Sequence, residues 1–221
     1  MDSDICICIP TLNEEKAIDT VINKFKENGY ENILVIDGGS RDNTRQIARD
    51  LGVKVHEQTY EGSKGAAIKE AVDIIDSSVI VFVDGDDTYE PQDVDKLINA
   101  IQNGADHAIA NRFANMQPGA MSNLHIFGNK ILNLFFFIIY RKDVKDLLTG
   151  YRAITKSELQ NLDLKSDGFG IETELTAKSI KNKQNIKIIP SSYYKRKGDS
   201  KLQSYKDGFN IFKTIISSKF K

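Results

Sequence analysis

The stretch VIVFVDGDDTYEP, residues 79–91, joins a hydrophobic segment directly to a group of carboxylates. Five apolar residues, 79–83, are followed at once by Asp84, Asp86 and Asp87. Negative charges this close together are costly unless a positive group joins them. The stretch therefore predicts a buried strand that ends at a cation-binding site.

The composition is that of an ordinary globular protein. The chain has 221 residues, 40% of them hydrophobic and 28% charged, with a net charge of -1. That charge argues against a general nucleic-acid binder. The longest strongly apolar run, LFFFII at 134–139, is far shorter than the ~18 residues of a membrane span. The first residues, MDSDIC, have no basic region, so we expect no signal peptide.

Strand-like and helix-like segments alternate through the first half of the chain. The expected strands are 5–10, 32–37, 53–58, 79–84 and 106–113, and the expected helices are 13–29, 40–52, 62–76 and 91–104. This order predicts an α/β fold with a mostly parallel sheet flanked by helices. The second half predicts helices over 122–142, 170–183 and 200–221, the last with a break at Gly208, and a strand over 185–194.

Four polar segments follow expected strands, and in an open parallel sheet they share one edge. They are PTLNE (10–14), DGGS (37–40), GSKG (62–65) and DGDDT (84–88). Ligands of such sheets bind at the carboxyl ends of the strands. Asp84 and Asp86 suit a hard cation, Mg²⁺ or Mn²⁺, and Lys64 suits a phosphate. The edge therefore predicts a site for a metal-bound nucleoside diphosphate, with Glu14 and Asp37 as acceptors for the base or ribose.

Each segment also has a purely structural interpretation. DGG is common in tight turns, and Lys64 alone is typical of a solvated helix residue. Glu14 complements a helix dipole. The acidic cluster is the segment that most needs a compensating cation.

The motifs CIPTLNEEKAI, VIDGGSRDNT, SKGAAI and VFVDGDDTYEP, in this order, resemble the family 2 glycosyltransferases with the GT-A fold. ANRF (110–113), LLTGYRAI (147–154), GFGIETEL (168–175) and KRKGDSKL (195–202) are similar to the dolichyl-phosphate mannose synthase branch, whose members load a sugar onto a polyprenyl phosphate. The resemblance covers residues 4–205.

The resemblance implies roles for particular residues. Those implied to bind the nucleotide sugar are Pro10, Thr11, Glu14, Asp37, Gly39, Lys64, Asp84, Gly85 and Asp86. Those implied to lie near the acceptor phosphate are Arg112, Arg152, Arg196, Ser200 and Lys201. Asp84 and Asp86 match a metal-binding D-x-D pair, and Thr88 stands where the mannose synthases have a metal-binding Gln, which leaves it a candidate third ligand. Asp84, Asp86, Arg112 and Glu172 are the expected catalytic positions, although Glu172 is equally well interpreted as a helix-surface carboxylate.

The resemblance further implies a metal-dependent inverting transfer from a UDP- or GDP-sugar to a polyprenyl (dolichyl) phosphate, for glycan or glycoprotein assembly. A phosphate monoester is mostly a dianion at pH 7 and needs no general base. This agrees with the scattered positions of His56, His107 and His125, each interpreted as structural.

We expect residues 1–115 to form the nucleotide-sugar half of the domain, 116–205 the acceptor half, and 206–221 an amphipathic extension. Five basic residues and one acid in 191–206 suit an anionic lipid head group. The apolar helix near 122–142 suits either the core or a bilayer interface. The expectation is a peripheral enzyme on the cytoplasmic face of a membrane, with a membrane-anchoring partner subunit as an alternative.

Two rival functions remain open on sequence grounds. VFVDGDDT also fits the D-x-D-x-T signature of haloacid-dehalogenase-type phosphatases, but no acidic pair follows a later strand. A family 2 glycosyltransferase with a soluble or glycan acceptor is the nearer alternative.

Overall fold

The computed structural model describes residues 4–59, 63–198 and 204–220, and its framework is a seven-stranded sheet. The strands are β1 (Ile5–Thr11), β2 (Ile33–Asp37), β3 (Lys54–Glu57), β4 (Val79–Phe82), β5 (His107–Met116), β6 (Arg152–Thr155) and β7 (Ile186–Tyr193). Their order across the sheet is β3-β2-β1-β4-β6-β5-β7.

Helices cover both faces of this sheet. They are α1 (Ile18–Glu27), α2 (Thr44–Asp50), α3 (Lys64–Ile74), α4 (Val94–Gln102), α5 (Asn123–Tyr140), α6 (Lys156–Gln160), α7 (Ile171–Lys181) and α8 (Ser204–Phe220), with a short 3₁₀ turn at Pro91–Asp93. Gly29, Gly52 and Gly104 follow α1, α2 and α4 with positive φ, as expected of helix-ending glycines. Helix α8 runs through Gly208 without the predicted break.

The predicted mostly parallel α/β architecture is confirmed, with one exception. β1, β2, β3 and β4 pair in parallel, and β5 pairs in parallel with β7. β6 lies antiparallel between β4 and β5. Neither β6 nor α6 was predicted, because four strand residues that begin with an arginine carry too little apolar periodicity to reveal a buried strand.

The hydrophobic core has two main layers because alternate strand residues face opposite sides of the sheet. Ile7 and Ile9 of β1 pack on the side covered by α1 and α4. Cys6 and Cys8 pack on the other side, with α3 and α7. Both cysteines are free and buried, and burial raises the pKa of the Cys6 thiol to about 12. They therefore serve as small core residues, as expected from the sequence.

A third hydrophobic cluster joins α5, α7 and α8 beside the sheet. Phe136 and Tyr140 of α5 pack with Ile211 and Ile215 of α8 and Ala177 of α7. The Tyr140 hydroxyl donates a 2.9 Å hydrogen bond to the Ile215 carbonyl. In the described ranges, every helix is too short or too polar to cross a bilayer.

Helix α1 begins at Ile18, five residues later than predicted, and the chain before it forms a loop. Asn13 has a φ of 53°, which interrupts any helix there. The Glu14 amide donates a 2.8 Å hydrogen bond to the Thr44 hydroxyl at the start of α2. The polar residues after β1 therefore remain at the edge of the sheet.

Candidate active site

A cavity of about 400 Å³ lies at the carboxyl ends of β1, β2 and β4. The residues that line it are Pro10, Thr11, Leu12, Glu14, Gly38, Gln58, Ser63, Lys64, Asp84, Gly85, Asp86, Gly168, Phe169, Arg196, Lys206 and Asp207. All four polar segments singled out in the sequence contribute to this list. Parallel strands bring these segments together because their carboxyl ends meet at one edge.

A half-buried lysine connects two carboxylates on one side of the cavity. Lys64, the first residue of α3, hydrogen-bonds and ion-pairs with Asp84, and its Nζ lies 2.7 Å from Glu172 Oε1. Burial would lower the pKa of Lys64, but Asp84 and Glu172 raise it above its ordinary value. Burial would likewise raise the pKa of Asp84, but Lys64 holds it below its usual range. Both groups are therefore charged at neutral pH.

Asp86 is a second buried carboxylate on the turn after β4. Burial, and then repulsion from Asp84, raises the pKa of Asp86 above its ordinary value. Its Oδ1 accepts a 2.6 Å hydrogen bond from Thr88 Oγ1, and its Oδ2 lies 3.1 Å from an Arg196 guanidinium nitrogen. Thr88 is itself buried, so its hydroxyl orients Asp86 from behind and does not line the cavity.

Arg196 spans the cavity between two carboxylates. Its Nη2 donates a 2.5 Å hydrogen bond to Glu14 Oε1, while Nη1 contacts Asp86. Two backbone bonds fasten its segment to the Asp86 turn, from the Tyr194 amide to the Thr88 carbonyl at 2.8 Å and from the Lys197 amide to the Asp86 carbonyl at 3.1 Å. The sequence places Arg196 near an acceptor phosphate, whereas the structure places it on the carboxylates of the expected donor site. Ser200 and Lys201 lie outside the described residues.

Asp37 shapes the loop after β2 and does not line the cavity. Its fully buried carboxylate accepts hydrogen bonds from the Thr11 hydroxyl at 3.0 Å, the Ser40 hydroxyl at 2.5 Å, and the Gly39 and Ser40 amides. Gly39 has a φ of 90°, which allows the tight turn. The neighbouring Gly38 lines the cavity, and the expectation that Asp37 itself contacts a base or ribose stays a prediction.

The two arginines expected at the acceptor phosphate differ in position. Arg112 forms a bidentate pair with Asp146, at 2.7 and 2.8 Å, and lies 5.3 Å above the Tyr193 ring. Its charge lowers the pKa of Asp84, although burial and Lys64 contribute more. Arg152 is only 1% exposed and donates to the Thr149 and Leu147 carbonyls and to Thr176 Oγ1. All three of these acceptors belong to the protein interior, and the expectation that Arg152 lies near the acceptor phosphate stays a prediction.

Sequence reasoning missed the role of Gly150. A Cβ at this position would lie 2.6 Å from Asp84 Oδ2 and 2.6 Å from Lys64 Nζ, so a larger residue would displace this pair from its present position. The Gly150 amide donates a 3.0 Å hydrogen bond to the Tyr89 hydroxyl. The available signal was the glycine within LLTGYRAI, which contributed to the resemblance without a role of its own.

The donor set fits a divalent metal ion only in part. Two carboxylates that could bind a metal, Asp84 and Asp86, line the cavity. Burial, and then repulsion from Asp84, raises the pKa of Asp86. No group of three or more acidic, histidine or cysteine ligands occurs among the described residues. A hard cation that takes one or two carboxylates and completes its shell with water or phosphate oxygens matches this arrangement.

Comparisons with known proteins agree with the geometry of the cavity. A family model described as glycosyl transferase family 2 matches residues 6–159. The glycosyltransferase AglJ of Haloferax volcanii is 43% identical over 211 residues, which are 94% of this chain and 69% of that protein. The dolichyl-phosphate hexose transferase of the same organism is 31% identical, over 96% of this chain and 92% of its own length.

A crystal structure supports the fold assignment. Glucosyl-3-phosphoglycerate synthase from Mycobacterium tuberculosis, in complex with Mn²⁺, UDP-glucose and phosphoglyceric acid, superposes with a TM-score of 0.81 at 18% identity. The superposition covers 98% of this chain and 79% of that one. The predicted GT-A fold is thereby confirmed.

The ion cluster around Lys64 makes a testable prediction about stability. Replacing Lys64 with Met leaves Asp84 and Glu172 without their shared cation, so the free energy of unfolding at pH 7 should fall by about 3 kcal/mol. Burial raises the pKa of Asp84, but Lys64 lowers it, and the net result in the folded state is a pKa below the ordinary value. The stabilisation is therefore present above the unfolded pKa of about 4 and is lost as pH falls through the folded value.

Urea unfolding of wild type and Lys64→Met between pH 7 and pH 3 measures this difference, which should narrow toward acid. Lys145→Met is the matched control because Lys145 pairs with Asp143 on the exposed surface and should matter little. A stability difference that stays constant over this pH range would contradict the assignment.

Proposed function

This chain belongs to glycosyl transferase family 2, and we propose that it transfers a hexose from a nucleoside diphosphate to a polyprenyl phosphate. The observation that carries the proposal is the pair Asp84 and Asp86 beside Lys64, in a cavity at the carboxyl ends of parallel strands. Family membership sets aside the phosphatase alternative. A relative named dolichyl-phosphate hexose transferase, which this chain matches over 92% of its length, supports the choice of acceptor.

We assign the nucleotide sugar, a UDP- or GDP-hexose, to the cavity. Pro10, Thr11 and Glu14 come from the end of β1 and the loop after it, on the side expected to hold the nucleoside. Gly85 lies close to Thr11, and a Cβ at position 85 would come 3.1 Å from Thr11 Cγ2. The close approach leaves little room for a side chain at this position. Gly39 and Asp37 support this side by shaping the loop that presents Gly38.

Asp84 and Asp86 would hold Mg²⁺ or Mn²⁺, and a bound ion supplies neutralisation of the charge that develops on the departing diphosphate. Lys64 contacts Asp84, and Arg196 contacts Asp86. Their positive charges lie where the diphosphate must sit, so they stabilise it as the bond to the sugar breaks. Glu172 also contacts the Lys64 ammonium group, at 2.7 Å, and together with Asp84 restricts its position.

The acceptor phosphate attacks without a general base because it is mostly a dianion at neutral pH. One of its oxygens forms a bond to the anomeric carbon as the carbon–oxygen bond to the diphosphate breaks, which inverts the configuration. We assign Arg112 to the acceptor side, since its guanidinium, held by Asp146, also lies 3.3 Å from Asn129 of α5. We keep Ser200 and Lys201 as proposed contacts of the acceptor phosphate, and we assign no acceptor contact to Arg152.

A lipid acceptor fits the apolar surface that α5 and α8 present to solvent. Its exposed large residues are Leu124, Phe127, Ile131, Leu134, Phe137 and Ile138 of α5, and Phe209, Phe212, Ile216 and Phe220 of α8. The two helices meet at Phe135 and Phe212, whose rings stack at 4.3 Å. Helix α5 has no acidic residue, and α8 has three lysines to one aspartate. Apolar side chains flanked by cations match an anionic bilayer surface.

We therefore propose peripheral docking of this surface on the cytoplasmic face of a membrane. An anchoring partner subunit is compatible with the same surface but is not required for docking.

The proposed reaction predicts product only when donor, divalent metal and lipid acceptor are combined. Purified protein is incubated with UDP- or GDP-hexoses, Mn²⁺ or Mg²⁺, and a polyprenyl phosphate, and the glycolipid is extracted and identified by mass spectrometry. Asp84→Asn and Asp86→Asn should each slow transfer about 100-fold or more, because charge on the leaving group is then poorly neutralised. The exposed Asp73→Asn is the matched control.

A parallel reaction with a soluble phosphorylated acceptor separates the two acceptor classes. Product formed from the soluble acceptor alone would contradict the lipid proposal, and full yield from the double aspartate variant would contradict the site.

Membrane docking predicts that substitutions on the exposed apolar surface of α5 and α8 weaken binding to vesicles. Phe127→Ser and Phe209→Ser should each weaken binding to vesicles of phosphatidylcholine and phosphatidylglycerol about 30-fold, since burial of one phenylalanine contributes about 2 kcal/mol. Co-sedimentation measures the effect, and the exposed Gln46→Ser on α2 is the control. Unchanged vesicle binding, with loss of a dimer in size-exclusion chromatography instead, would identify the surface as a contact between copies of the chain.

A further inference from the structure

Arg152 is a buried arginine with no carboxylate directly bonded to it in the part of the chain that the structure describes. It is 1% exposed and is one of the largest fully buried side chains among the described residues. Its three hydrogen bonds go to uncharged oxygens, the Thr149 carbonyl at 2.8 Å, the Leu147 carbonyl at 2.7 Å and Thr176 Oγ1 at 2.8 Å. Burial lowers the pKa of Arg152 to about 10, although Glu172 and Asp146 act in the opposite direction. A buried charge of this kind costs stability, so its position needs a compensating benefit.

The first element that Arg152 holds is the turn at residues 147–150. Nε and Nη2 bind the Thr149 and Leu147 carbonyls, so one planar group fixes two peptide units of the turn. The turn ends at Gly150, which lies so close to Asp84 and Lys64 that a Cβ there would displace both side chains. The turn therefore packs against the Asp84–Lys64 pair and limits the positions that these two side chains can take.

The second element is the start of α7. Arg152 Nη1 donates to Thr176 Oγ1, and this hydroxyl donates a 2.9 Å hydrogen bond to the Glu172 carbonyl. Glu172 in turn holds Lys64 by its carboxylate, at 2.7 Å. One guanidinium therefore connects the turn that limits Asp84 to the helix that carries the partner of Lys64.

We propose that Arg152 is a positioning residue for the Asp84–Lys64–Glu172 cluster, acting through the 147–150 turn and Thr176. Its role in transfer rests on the proposed function, because Asp84 and Lys64 act there on the leaving diphosphate. The arrangement itself concerns only this chain and can be measured without any substrate.

The test compares Arg152→Met and Arg152→Lys with the wild type. Met keeps the length and apolar stem but donates no hydrogen bond, so two turn carbonyls lose their partner and the turn relaxes. Lys keeps the charge and part of the donor set, and should recover part of the lost function. Ile33→Ala is the control for lost stability, since Ile33 is buried at the amino end of β2, at the opposite edge of the sheet from the cavity.

The first measurement is the acetylation rate of Lys64 by acetic anhydride, followed by mass spectrometry without substrate. The amine is slow to react because Asp84 and Glu172 both contact it and the Lys64 side chain is only 16% exposed. Acetylation should be about tenfold faster in Arg152→Met, because the relaxed turn loosens these contacts and opens the amine to the reagent. It should be intermediate in Arg152→Lys and unchanged in Ile33→Ala.

The second measurement is steady-state transfer, well below the melting temperature of each variant. A displacement of about 1 Å at the cluster should reduce kcat about 100-fold in Arg152→Met with a smaller change in KM.

Equal Lys64 reactivity and equal kcat in Arg152→Met and wild type would overturn the proposal, as would equal losses in Ile33→Ala. If Arg152→Met does not fold, Lys64 reactivity and kcat are compared between Arg152→Lys and the wild type, and equal values would overturn the proposal. If the wild type shows no transfer but Lys64 reactivity changes as expected, the proposed function fails and the positioning role stands.

Discussion

Two aspartates on one short turn repel each other, and the site is organised around the compensation of that repulsion. Asp84 and Asp86 follow a buried strand, where water screens their charges poorly. Lys64 offsets the charge of Asp84, and Arg196 offsets that of Asp86. Neither cation comes from the turn itself, so the charge balance links α3 and the segment after β7 to the end of β4. Lys64 keeps the pKa of Asp84 low, whereas burial and Asp84 raise the pKa of Asp86, so a further cation at this pair would offset the remaining repulsion.

The sheet supplies the geometry that this balance requires. Parallel strands β1, β2 and β4 end at the same edge, and the loops after them bring Glu14, Gly38 and Asp86 to one cavity. The antiparallel strand β6 contributes from the other direction. Because it enters the sheet beside β4, the turn before it, at Gly150, lies against Asp84. A wholly parallel sheet would place that turn at the opposite edge.

Much of this was predictable from sequence because local patterns carried it. The apolar strands, the polar segments that follow them and the Asp84–Gly85–Asp86 pair are short-range features, and the mostly parallel α/β sheet followed from their order. The GT-A fold was implied by the resemblance of the motifs to family 2 glycosyltransferases. The position of Arg196 depended on how the chain returns after β7, which no local pattern encodes. The burial of Arg152 could not be predicted because an arginine usually lies at the surface, whereas here backbone carbonyls 3 and 5 residues away accept its hydrogen bonds. The bonds from Asp37 to its own loop could not be predicted because a strand-end carboxylate can serve either its loop or a ligand.

The most direct test of the central claim is a crystal structure with Mn²⁺ and a nucleoside diphosphate, with the metal located by anomalous scattering. The charge-compensation account predicts a peak within coordination distance of Asp84 and Asp86, diphosphate oxygens on the same ion, and Arg196 moved from Asp86 toward the diphosphate. A nucleotide bound elsewhere, or bound in the cavity with the Arg196–Asp86 pair intact and no metal peak, would contradict it.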